Sequence, residues 1–96
     1  WVNDSCNVGI TNTAVSVDTT VGGVLLPATA RAGRKRMIIQ NTSATQEVYL
    51  GASGVTTSSG LVLGRKSSVE LDLGQGVSIY GITGASTANV RVLELA

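Results

Sequence analysis

Apolar and polar residues alternate in short runs along this chain, with the two-residue period of an extended strand. The clearest run is Ser68-Val69-Glu70-Leu71-Asp72-Leu73. It predicts a strand over 68–73, with Val69, Leu71 and Leu73 facing a core and Glu70 and Asp72 facing out. Seven further segments read the same way: 13–17, 24–26, 37–40, 47–50, 61–63, 77–80 and 88–95. Turn chemistry separates them. Gly22-Gly23, Asn41-Thr42-Ser43-Ala44, Gly64-Arg65-Lys66, Gly74-Gln75-Gly76 and Gly84-Ala85-Ser86 supply the glycine, Asn and Ser residues that tight reversals use. Pro27 lacks the N–H a central strand needs, so the second segment is expected at a sheet edge or strand end. Gly81 interrupts the seventh segment and suggests a bulge or a close backbone approach.

Several of these strands carry apolar residues on both faces. Met37 and Ile39 oppose Ile38, Val77 and Ile79 oppose Tyr80 and Ile82, and Val90 and Val92 oppose Leu93 and Leu95. A sandwich sheet normally shows water one polar face. Ile38, Tyr80, Ile82, Leu93 and Leu95 are therefore expected at a subunit or partner interface. Apolar side chains scattered over a monomer surface are the simpler alternative.

Composition agrees with strands. Val, Ile and Thr dominate the periodic stretches, their branched side chains favour extended backbone, and no apolar period of 3.6 residues persists. A chain of 96 residues makes one domain, and one of this size has a thin margin of stability that a neighbouring subunit would widen. Short strands at this spacing imply an all-β fold, an antiparallel β-sandwich or jelly-roll-like barrel of about eight short strands. The domain is expected over 13–96. Residues 1–12 are expected to form an N-terminal extension, docked or loosely ordered.

Charge and reactive side chains narrow the function. The net charge of +1 gives no field to attract nucleic acid or membrane, and three aromatics are too few for a base-stacking platform. Apolar runs such as Val24-Leu25-Leu26 are far too short to span a bilayer. There is no His, which excludes a Ser-His pair and a His-ligated metal, and Cys6 alone builds neither a thiolate cage nor an internal disulfide. Gly64-Arg65-Lys66-Ser67 departs from the phosphate-loop pattern and precedes a strand. Glu70 and Asp72 share a strand face and read as a solvated surface. No catalytic residue, metal site or cofactor site is expected, and the chain is read as a non-enzyme. The one concentration of charge is Arg31, Arg34, Lys35 and Arg36. It suits a carboxylate-rich partner surface or a phosphate, and equally a solvated loop guarding an edge strand.

The segment Arg34-Lys35-Arg36-Met37-Ile38-Ile39-Gln40-Asn41-Thr42-Ser43, followed by Val48-Tyr49-Leu50-Gly51, resembles a pattern found in small bacteriophage structural proteins. Val69-Glu70-Leu71-Asp72-Leu73-Gly74, with Val77, Tyr80 and Val90-Arg91-Val92-Leu93-Glu94, is similar to the same group of head decoration and head fibre components. The likeness spans residues 31–95 and holds no catalytic residues. It implies a β-sandwich, often trimeric, docked on a capsid or tail. The expected function is thus a capsid decoration or cement-type virion protein, assembled in the bacterial host cytoplasm. Its expected partners are its own copies, as a homotrimer, and the major capsid or another virion protein. A fibre or tail tip domain binding a host receptor or glycan through the loops at 51–60 and 84–87 is the alternative.

Overall fold

A computed structural model describes residues 9–96. These residues form eight strands: β1 (Ile10–Val17), β2 (Val24–Leu25), β3 (Arg36–Asn41), β4 (Val48–Gly51), β5 (Leu61–Leu63), β6 (Ser68–Leu71), β7 (Tyr80–Thr83) and β8 (Ala88–Leu95). They make two four-stranded antiparallel sheets, sheet I in the order β1-β8-β3-β6 and sheet II in the order β2-β7-β4-β5. The pairing is nested. β4 pairs with β5, β3 with β6, β2 with β7 and β1 with β8, and the pairs β3–β8 and β4–β7 join these ribbons side by side. One long antiparallel ribbon rolled up on itself in this way is a jelly roll.

Side-chain alternation decides what lies between the sheets. Val17, Val90, Val92, Met37 and Ile39 of sheet I meet Leu26, Val48, Leu50 and Leu63 of the opposite layer in one buried cluster. Met37, Ile39, Val48 and Val90 are wholly enclosed. Each such side chain contributes about 1.5–3 kcal/mol by leaving water. Val69, Leu71 and Leu73 face this core as the alternation predicts, but only half-buried, because β6 is an edge strand.

Three strands differ from the sequence reading by two residues or more. β1 begins at Ile10 rather than residue 13, since Gly9 and Ala96 already exchange backbone hydrogen bonds at 2.9 Å in both directions. Residues 10–12 are therefore part of the sheet, with Gly9 bonded at its end, and residues 1–8 of the expected N-terminal extension, with Cys6, lie outside the described residues. β6 stops at Leu71, and β7 starts at Tyr80 rather than residue 77. The carbonyls of Leu73, Gly74 and Val77 between them turn to the Arg34 guanidinium instead of a neighbouring strand. Gly81 is no bulge: it is in register with Val24 on one side and Leu50 on the other. It is a close approach, because a methyl group there would stand 3.1 Å from Leu26 Cδ1 and 3.2 Å from Val48 Cγ1.

Candidate functional site

The basic cluster enters β3 from the loop after Pro27, and the fold disperses it. The Arg34 side chain is only 1% exposed and Glu94 is fully buried, with Arg34 Nη1 2.9 Å from Glu94 Oε2. Arg34 also donates from Nε to the Leu73 carbonyl at 3.1 Å and from Nη2 to the carbonyls of Gly74 at 2.8 Å and Val77 at 2.6 Å. A guanidinium whose donors are used in this planar fan is an internal tie between the loop, β8 and the 73–77 segment. The expectation that Arg34 meets a partner is overturned by this burial.

Arg31 turns inward as well. Its backbone N–H donates to Glu94 Oε2 at 3.0 Å and its Nη1 to Thr11 Oγ1 at 2.6 Å. Arg36 bridges Glu70 at 3.3 Å and Asp72 at 3.0 Å on the outside of sheet I. Lys35 is exposed. The four cations thus do not form one contact surface. The acid that holds Arg31 and Arg34, Glu94, was not singled out from the sequence. Its signal was present, because Glu94 is in phase with Val90 and Val92 and so had to point into the core.

The five apolar candidates fall on two different sheets. Ile38, Leu93 and Leu95 lie on the outer face of sheet I, and Tyr80 and Ile82 on the outer face of sheet II. On sheet II the chain covers part of that face, while Val62, in register with Tyr49, stays 53% exposed. Ile82 is in register with Tyr49 and is 9% exposed. Val55, from the loop after β4, is buried beside Gly23, Gly51 and Gly60. A methyl group on any of these glycines would stand 2.9 Å from Val55, so their bareness seats it. Val55 also bridges to Gly22. The expectation of a partner on Ile82 is corrected accordingly: its own chain shields it, while Tyr80 is half-buried.

Among the described residues nothing covers the outer face of sheet I. Leu93 is in register with Ile38 and with Asn12, and Leu95 with Ile10 and Arg36. Ile38, Leu93 and Leu95 are half-buried and Ile10 is 61% exposed. Four apolar side chains therefore adjoin across three strands, with the Arg36–Glu70 and Arg36–Asp72 pairs along one flank. Beside them is a shallow hollow of about 400 Å³, walled by Asn12, Ala14, Ile38, Gln40, Arg91 and Leu93. A second hollow of about 370 Å³ lies among loops and is polar, with Gln46, Glu47, Tyr49 and Arg65 on its walls. Among the described residues no three His, Cys, Asp or Glu side chains gather as metal ligands.

This geometry offers a face for contact, an apolar patch of strand surface with polar and charged residues around it. Compared with known proteins, the chain matches no family model and no curated sequence.

Proposed function

We propose that this chain is a structural module that acts by docking and assembly, a virion component of the capsid decoration or cement type. The observation that carries the reading is the open outer face of sheet I, where Ile10, Leu95, Leu93 and Ile38 adjoin without cover from the described chain. Burying such a face against a shell stabilises the contact by about 25 cal/mol per Å² of apolar area. A specific contact needs roughly 800 Å² from each partner, which a four-stranded sheet face can supply. Arg36, Glu70, Asp72 and Arg91 around the patch would fix orientation and reject wrong surfaces. The jelly-roll pairing supports the reading by analogy only, since viral capsid domains, lectins and cupins share it. The resemblance of residues 31–95 to phage structural proteins supports the virion location.

The test is co-sedimentation of the purified chain with particles stripped of it, followed by imaging of the decorated particle. Wild type should bind, and Leu93→Asp should lose binding while keeping its β-sheet circular dichroism. No binding by the wild type, or equal binding by Leu93→Asp, would overturn the reading.

A fibre or tail tip domain is the second reading, favoured by the polar hollow around Gln46, Glu47 and Arg65, where Tyr49 could stack on a sugar ring. On that reading Tyr49→Ala abolishes binding to host cells and Leu93→Asp does not.

A further inference from the structure

Among the described residues the two sheets have four edges, and three of them are blunted. β2 is two residues long and runs into Pro27, β5 is three residues long, and β6 carries Glu70 and then Asp72. Short length, proline and charge are the devices that keep strand edges from pairing with other chains. β1 has none of them. Its sequence Ile-Thr-Asn-Thr-Ala-Val-Ser-Val runs for eight residues without charge, proline or glycine. Among the described residues only β8 pairs with it.

The hydrogen-bond parity of β1 follows from its first pair. Gly9 and Ala96 exchange both backbone bonds, so in the antiparallel ladder Thr11, Thr13, Val15 and Val17 also point N–H and C=O toward β8. Ile10, Asn12, Ala14 and Ser16 must then point theirs to the open edge. The parity is confirmed at the far end, where the Asp18 carbonyl points away from β8 and accepts the Thr83 N–H at 3.0 Å. All four open residues are exposed.

We infer that this edge pairs with the same edge of a second copy, antiparallel about a two-fold axis at Thr13. The inference rests on the assembly reading above and names the partner. Ile10 then faces Ser16 of the other copy and Asn12 faces its Ala14, so each open N–H and C=O finds a complement. Sliding the register by one pair toward the end of the strand sets Ile10 against Asp18, whose carbonyl is already taken by Thr83. The inner face agrees. Thr11, Thr13 and Val15 point between the sheets yet are only half-buried, whereas Val90 and Val92 beside them are at most 1% exposed. In the pair, Thr13 meets Thr13 and Thr11 meets Val15, cross-strand neighbours of a favourable kind. Because each copy has one such edge among its described residues, two-fold pairing consumes both and closes the assembly. The two outer faces join into one eight-stranded surface, in place of the three-fold arrangement that the resemblance implies.

The test uses the full chain and measures mass by sedimentation over a concentration series. The wild type should form a dimer. Ala14→Pro removes an edge N–H and Ala14→Lys adds an edge charge, neither touching a bond to β8. Both should run as monomers with unchanged β-sheet circular dichroism. In a Cys6→Ser background, Thr13→Cys should cross-link to a dimer on mild oxidation, since its Cα would lie about 4.5 Å from its mate. Ser16→Cys should not, its mate being about 20 Å away along the strand. Leu93→Asp should stay dimeric while failing to dock, which separates this inference from the docking reading. A monomeric wild type, a trimer mass, Ala14 variants that remain dimeric, or cross-linking of Ser16→Cys equal to Thr13→Cys would each overturn it.

Discussion

Arg34→Met would remove the guanidinium that ties the basic loop to β8 while keeping an apolar side chain of similar length. The consequences can be worked out group by group. The Glu94 carboxylate would stay fully buried, and among the described residues it would keep the Arg31 backbone N–H as its one donor, its Oε1 having no partner there. Gly74 and Val77 are exposed, so their carbonyls can rehydrate and add little; Leu73 is half-buried. The cost is therefore dominated by the stranded carboxylate, and breaking a buried pair in this way costs about 3–5 kcal/mol. A domain of this length has a total stability of roughly 5–15 kcal/mol, so the loss is a large share of it. Urea unfolding followed by circular dichroism should show the midpoint falling by more than about 1 M, given a slope of about 1–3 kcal/mol per M. Arg34→Met combined with Glu94→Leu removes both charges and should recover at least half of the loss, because an apolar replacement of a buried pair is often neutral. A cost for Arg34→Met below about 1 kcal/mol, near the value of an exposed pair, would refute the reasoning. So would a double variant no more stable than the single one.

Three other outcomes follow from the same geometry. Gly81→Ala should destabilise by about 1–3 kcal/mol in urea unfolding, because its methyl group would press on Leu26 and Val48; Gly76→Ala, with nothing within 4 Å, should be silent or slightly stabilising. Leu71→Asp should destabilise by about 1–3 kcal/mol, since it sets an unpaired charge against the core from a half-buried edge position. Glu70→Ala should cost under about 1 kcal/mol because its bridge to Arg36 is exposed; equal effects measured by thermal unfolding would reverse the assigned strand facing. The Thr20 hydroxyl and backbone N–H hold the Asp18 carboxyl below its usual value of 3.8. A depressed carboxyl favours the folded state above the unfolded-state value, and that contribution fades as pH falls through the lower folded value. Thr20→Val should therefore bring the Asp18 titration, followed by NMR, back toward 3.8.

The eight strands were legible in the sequence because alternation and turn residues are local signals. Segments 61–63 and 88–95 coincide with β5 and β8, and the inward facing of Met37, Ile39, Val90 and Val92 follows from parity alone. The same parity placed Glu94 inside, yet a carboxylate at the end of a strand reads as surface until its partner is known. That partner, Arg34, is sixty residues away and was indistinguishable in sequence from the cations on either side of it. The shared period of Ile38, Leu93, Tyr80 and Ile82 said that each opposes a core face. It could not say that two of them lie on one sheet and two on the other, or that Val55 would return to cover the second. What the sequence determined by itself was strand identity and facing, since both arise from the backbone geometry of neighbouring residues. Only the tertiary structure decided which strands pair, which edge stays open and which charges are interred, because those depend on the nesting of β1 with β8 and β2 with β7, contacts between chain segments that share no local pattern.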